Sequence, residues 1–253
     1  MKISANAKIN LTLEVLGTRP DGYHALKSIV IAVSLADEIE IEPAEEISSD
    51  TGYADDLCIK AAKAILPSGK GTKIHVEKRI PAGGGLGGGS ADAAAVLRAL
   101  NEMYALGYAP EALAEIGARV GSDVPALVLA QHYRRPVMME GRGEIVSPMD
   151  AVPSRALVLA NPGVFSSTPE VFREWKANSA INQLEPAAIA LHPEIGRAIA
   201  LLAELGAAEA RMTGSGATVF GFARDEREAA RIAAAMRERG FLAWEGRTYG
   251  GLD

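Results

Sequence analysis

The chain has 253 residues, 48% apolar and 23% charged, so it can bury a large core in one or two domains and is not a disordered chain. A net charge of −6 argues against a nucleic-acid partner, which calls for a basic face, and leaves any anionic ligand to local dipoles and a few placed cations. A lone cysteine, Cys58, excludes an internal disulfide and a cysteine-based zinc site, and no apolar run reaches the roughly 18 residues of a membrane span. The four histidines show no HExxH spacing, and Lys8 and Asn10 interrupt any apolar leader. A cytoplasmic location without a membrane partner is expected.

Residues 9–15 alternate apolar and polar, as a half-buried strand does, and Arg19-Pro20-Asp21-Gly22 reads as a turn. Residues 26–42 are β-rich, and the acidic stretch 43–55 reads as a loop. Residues 57–66 read as a helix, and 73–77 as a strand with one wet face. After a glycine-rich segment, the Ala- and Leu-rich residues 91–104 are predicted helical, with Ser90 near the N-cap. A second helix covers 110–120, with Gly121 as its C-cap.

Beyond residue 150 the rhythm changes. A strand at 156–160 precedes an amphipathic helix at 195–205 that ends at Gly206. Strands are expected before Gly214 and over 218–222, then a helix at 226–239 and a strand from Phe241. This order suits an α+β layer with helices on one sheet face. A boundary between 148 and 153 gives two expected domains, 1–150 and 151–253.

The segment Pro81, Ala82, Gly83, Gly84, Gly85, Leu86, Gly87, Gly88, Gly89, Ser90 and Ala91 packs six glycines into seven positions. Such density costs conformational entropy and makes sense where backbone must approach a ligand. Opening into a helix, whose N-terminus carries unpaired N–H groups, it forms a phosphate cradle. Gly83, Gly85 and Gly88 satisfy GxGxxG, but a dinucleotide-binding strand is buried on both faces, whereas 73–77 alternates. A P-loop needs Gly-Lys-Ser/Thr, and Gly89-Ser90-Ala91 lacks the lysine, so any cation must come from elsewhere.

Phosphoryl transfer needs a cation near the moving group and an acceptor for the hydroxyl proton. Lys8, at the start of an apolar strand, is either that cation or a solvated strand end. Asp123, in Gly121-Ser122-Asp123-Val124-Pro125, is either the base or a helix N-cap, and one oxygen could serve each role. Tyr23 and His24 follow a turn and could read a planar base by stacking and hydrogen bonds, or be turn and core residues. Thr213-Gly214-Ser215-Gly216 is either a tight hairpin or a second wall of amides.

In this order these segments resemble the GHMP kinase superfamily. The match is carried by residues 5–13 with Asp21-Gly22-Tyr23-His24, by 81–91, by Gly121-Ser122-Asp123-Val124-Pro125, and by Met212-Thr213-Gly214-Ser215-Gly216-Ala217. Asp21 to His24 resembles the branch acting on a cytidyl diphosphate alcohol in isoprenoid precursor synthesis. The resemblance implies an α+β, two-domain fold: a ribosomal-protein-S5-like N-terminal domain and a ferredoxin-like C-terminal domain, with the site in the cleft. It further implies ATP with Mg2+ (no protein ligand assigned), a small-molecule partner, and a monomer or homodimer.

By match to motif, Asp123 would be the general base and Lys8 its charged partner, with Asn10 shaping the same site. Tyr23 and His24 would grip the cytosine, Phe172 after Thr168-Pro169 would cover its other face, and Arg142 would approach it by its backbone. Asp55-Asp56-Leu57 stands where Glu-Asn-Leu is usual, which bears on an adenine-pocket side chain at Asp56. Asn182-Gln183-Leu184-Glu185 replaces Asn-Asp-Leu-Glu. Competing readings are a homoserine or mevalonate type of GHMP kinase, or a non-catalytic nucleotide-binding protein on this fold.

Overall fold

The computed structural model describes residues 1–252. Its first sheet is organised by one long strand. The β-rich run predicted at 26–42 extends to β3, His24–Ala44, whose length lets it pair with β1 (Lys2–Asn10), β2 (Glu14–Thr18), β5 (Gly71–Glu77) and β6 (Val137–Gly141), all antiparallel. Flanking strands β4 (Ile47–Ser49) and β7 (Ile145–Pro148) pair with β5 and β6.

Two sequence expectations give way here. The strand expected at 9–15 is split: β1 ends at Asn10, and the chain turns before β2 begins at Glu14. At the break Leu13 exchanges backbone hydrogen bonds with the distant 181–183 segment, a pairing invisible to local alternation. The acidic stretch 43–55 is not all loop, because β4 finds a ladder partner in β5.

One face of this sheet is covered by α1 (Leu57–Ile65), α2 (Gly88–Met103), α3 (Pro110–Gly117) and α4 (Val124–Tyr133). Alanines at 91, 93, 94, 95 and 99 are fully buried in α2, and their small side chains let the central helix sit close to its neighbours. The helix starts three residues earlier than its composition predicts. Gly87, at φ +69°, is the N-cap, and Ser90 lies inside the first turn rather than capping it. The second helix ends at Gly117 with Ala118 as its C-cap, so Gly121 has no capping role. Asp56 caps α1 by accepting from the Cys58 and Ile59 amides, while Thr51 donates its hydroxyl to the other oxygen.

The second sheet runs β10 (Ala208–Met212), β11 (Val219–Phe222), β9 (Ala156–Asn161), β12 (Leu242–Arg247), all antiparallel. Helices α7 (Pro193–Glu204) and α8 (Glu226–Glu238) pack on it, with short α5 (Thr168–Glu174) and α6 (Glu185–Leu191) beside them. Strand β9 is apolar from Ala156 to Ala160 because both faces are covered. Val158 and Ala160 join the helical core, while Leu157 and Leu159, with Phe220 and Phe222, join the core of the first sheet. At about 1.5–3 kcal/mol for each large side chain buried, this seam binds the layers firmly. A short parallel pair, β8 (Val152–Pro153) with β13 (Gly251–Leu252), completes the structure. No helix among the described residues is long and apolar enough to cross a membrane.

Candidate active site

The glycine-rich loop lies where the two layers meet. It is pinned at both sides by backbone: the Lys8 amide donates to Leu86 O, and the Thr218 amide donates to Gly84 O. Gly85, at φ +74°, sits so close to the second layer that a Cβ there would stand 2.4 Å from the Thr213 carbonyl oxygen. The segment Thr213 to Gly216 is therefore the wall opposite the loop.

Lys8 lies two residues before the end of β1, and its side chain is only 4% exposed. Its ammonium donates to Asn10 Oδ1 at 2.6 Å and to Gly85 O at 2.9 Å, leaving its third proton free to face Asp123, whose Oδ2 lies 3.7 Å away. Burial of such a cation requires this full set of acceptors. Asn10 is fixed in turn: its amide group donates to Ser28 Oγ at 2.7 Å, Ser28 donates to Thr12 O at 2.6 Å, and the Asn10 backbone N–H donates to Thr213 Oγ1 at 2.9 Å. Lys8, Asn10 and Thr213 thus form one buried polar unit spanning both layers.

Asp123 holds the N-cap position of α4, with Pro125 in the first turn, yet its side chain accepts no capping hydrogen bond. Of its two sequence readings the cap fails: the carboxylate is 35% exposed and faces the cleft.

Three adjoining cavities surround these residues. One, of 470 Å³, is walled by Lys8, Asn10, the glycine loop, Asp123 and Gly214 to Gly216. A second, of 320 Å³, lies on the other side of the loop, between residues 51–58 and Lys78, Gly83, Gly88 and Asp92. The third, of 730 Å³, opens from Asp123 and Ser90 toward Tyr23, His24, Arg142, Thr168 and Phe172.

In that third cavity His24 stacks on Phe172, with ring centroids 4.7 Å apart and planes at 19°. Tyr23 is 55% exposed, and the Arg142 guanidinium lies 5.6 Å from its ring centre. The Arg142 backbone N–H is already engaged, donating to Glu144 at 2.6 Å. Thr168 and Ser215 share a hydroxyl hydrogen bond of 2.7 Å across the cleft. Asp56 reaches the second cavity's wall, but its carboxylate is used by the α1 cap and Thr51.

Several residues at the site escaped sequence reasoning. Trp175 meets His24 edge-on at 6.0 Å. Lys78 reaches both Asp37 and, at 2.7 Å, Asp92 beneath the loop. An aspartate on the buried face of an alanine-rich helix is a signal that could have been read in the sequence; the reach of Lys78 is not.

A loop of bare amides at a helix N-terminus, with a buried lysine and an open carboxylate beside it at the seam of two α+β layers, defines a GHMP kinase. Profiles of the GHMP kinase N-terminal and C-terminal domains match residues 56–131 and 162–241. The chain belongs to the 4-diphosphocytidyl-2-C-methyl-D-erythritol kinase family within it. A relative of that name from Cereibacter sphaeroides is 42% identical over 92% of this chain and 93% of its own, and one from a Geobacter species is 38% identical over 98% and 99%. A solved 4-(cytidine 5′-diphospho)-2C-methyl-D-erythritol kinase superposes with a TM-score of 0.87 at 34% identity, covering 99% of this chain and 100% of the other. A homoserine kinase from Cytophaga hutchinsonii, at a TM-score of 0.72 and 16% identity over 97% and 96%, shares the fold. As a member of this family the protein is an ATP-dependent kinase.

Proposed function

We propose that the protein transfers the γ-phosphoryl group of ATP to the 2-hydroxyl of 4-diphosphocytidyl-2-C-methyl-D-erythritol, in the non-mevalonate route to isoprenoid precursors. The observation that carries this reading is the 3.7 Å pairing of buried Lys8 with open Asp123 at the rim of the glycine loop. Asp123 accepts the proton of the acceptor hydroxyl, and Lys8 orients that hydroxyl and meets the charge of the moving phosphoryl group. Residues 81–91 hold the nucleotide phosphates through the loop amides and the N-terminus of α2.

Gly83, Gly85 and Gly87 to Gly89 line the 470 Å³ cavity with their backbone, which fits a cradle for ATP. Magnesium supplies charge neutralisation on the phosphates. Magnesium would enter with the nucleotide's phosphates, whose oxygens suit it, and no protein ligand is assigned to it.

On the acceptor side Asn10 shapes the reaction centre, and Thr168 closes the far wall. Tyr23, His24 and Phe172 form the cytosine slot, with Arg142 at its mouth. His24 covers one face of Phe172, and Tyr23, 55% exposed, is the open aromatic face offered to the base. A Tyr23→Ala variant is expected to raise KM for the cytidyl substrate about fivefold to 150-fold, from the loss of roughly 1–3 kcal/mol of stacking, while KM for ATP stays put. An unchanged acceptor KM would remove Tyr23 from the slot.

We assign residues 1–150 and 151–253 to the two domains, and place the enzyme in the cytoplasm as a monomer or homodimer acting on a small molecule. Phosphoryl transfer measured against the cytidyl alcohol, homoserine and mevalonate tests the substrate. Turnover of the cytidyl alcohol alone is expected; turnover of homoserine or mevalonate alone would overturn the assignment, and no turnover at all would favour a nucleotide-binding protein.

A further inference from the structure

Beneath the glycine loop lies a buried charge cluster that the reaction described above does not use. Asp37 on β3 is fully buried and Asp92 in α2 is 2% exposed, and both accept from the single ammonium of Lys78. Asp37 also accepts from the Arg79 and Ile80 amides, whereas Oδ1 of Asp92 is buried without any partner. Lys78 and Asp92 line the 320 Å³ cavity together with Gly83, Gly88 and Gly89 of the phosphate cradle. The Lys78 ammonium stands 3.5 Å from where a Cβ of Gly88 would be, at the first turn of α2.

Two buried carboxylates on one ammonium leave this cluster with a net negative charge, and the nucleotide phosphates would add more beside it. We infer that Asp92 is a positioning residue for the nucleotide: it takes up one proton when the nucleotide binds, so that the field of Lys78 faces the phosphates. The proton comes from solvent, and the neutral carboxyl group then donates to Asp37, forming a carboxyl–carboxylate pair. The inference rests on the nucleotide reading of the glycine loop.

The groups facing Asp92 support it. Burial pushes the Asp92 carboxyl up to about 7; Lys78 opposes this, and negative Asp37 adds to it. Burial lowers the Lys78 ammonium, but Asp92 and Asp37 outweigh that and hold it above its usual range. From α1, Cys58 faces the cluster with its thiol pushed up by burial and by Asp92, and Asp56 is committed to the helix cap. Farther along α2, Arg98 is turned to Gln131 of α4. The sign follows: protonation favours binding, so nucleotide affinity falls as pH rises through 7.

Titration calorimetry with Mg·ADP, in buffers of different ionisation enthalpy, counts the protons directly. Wild type is expected to take up about half a proton per nucleotide near pH 7 more than Asp92→Asn does, and to lose about fivefold in affinity from about pH 6.5 to about pH 8, while the variant stays flat. The nucleotide's own ionisation is common to both proteins and cancels. Equal proton counts in the two proteins would overturn the inference while leaving the nucleotide site intact; no binding of Mg·ADP to wild type would instead sink the site itself. Should the variant not fold, wild type alone decides, because a proton count that does not rise between about pH 6 and about pH 7.5 also overturns it.

Discussion

An Asp123→Asn enzyme is expected to bind ATP as wild type does and to turn over roughly 10²–10⁴ times more slowly, the range for a lost general base. The substitution is a clean probe because the carboxylate, although at the N-cap position of α4, makes no capping hydrogen bond. No hydrogen bond of the helix depends on it, but its charge faces buried Lys8 at 3.7 Å, so a small drop in melting temperature is expected, on the scale of about 0.2–1 kcal/mol for a partly open ion pair. Asparagine keeps the shape and offers an amide that cannot take a proton. Nucleotide affinity measured beside kcat checks the result, and full turnover would show that the acceptor hydroxyl loses its proton elsewhere.

Removing the cation should be nearly as damaging. Lys8→Met keeps an apolar stem and deletes the ammonium, with an expected fall in kcat of about 10²–10³, typical of one lost preorganised electrostatic contact. Here a stability cost is also expected, because Asn10 Oδ1 and Gly85 O each lose a buried donor, at about 1–3 kcal/mol for a group left unpaired. Lys8→Arg should not rescue activity, since a planar fork cannot reproduce one compact ammonium between a side-chain amide, a carbonyl and a carboxylate. If the two residues act as a unit, the Lys8→Met/Asp123→Asn double variant will lose far less than the product of the single losses. A full product would mean that they work independently despite their 3.7 Å separation.

The kinase site was legible in the sequence to an uneven degree. Residues 81–91 pointed to a phosphate cradle through their glycine density; at Gly85 the structure shows a second reason for glycine, because the opposing Thr213 carbonyl leaves no room for a Cβ. For Asp123 local sequence offered two roles and leaned to the cap, since a carboxylate before a helix with proline in its first turn is the usual capping pattern. The structure shows no capping hydrogen bond from it. The strand expected at 9–15 broke after Asn10 because Leu13 pairs with residues 181–183, and β4 hid in an acidic stretch because its partner β5 lies over twenty residues away. The cluster of Asp37, Lys78 and Asp92 was missed for the same reason: residues 37 and 92 are 55 positions apart and meet only once β3 packs beneath α2.

By itself the sequence determined what short-range physics controls. Alternation set the strands, alanine and leucine content set α2, and the glycine run, with the motifs around Lys8, Tyr23 and Asp123, named the chemistry and the class of enzyme. Only the tertiary structure decided which of those groups meet. It turned Lys8 inward against Asn10 and Gly85, left Asp123 uncapped beside it, and laid His24 on Phe172. Side-chain partners across hundreds of residues are fixed by burial, where every charge must find an acceptor or a counter-charge, and no local pattern encodes which one it will find.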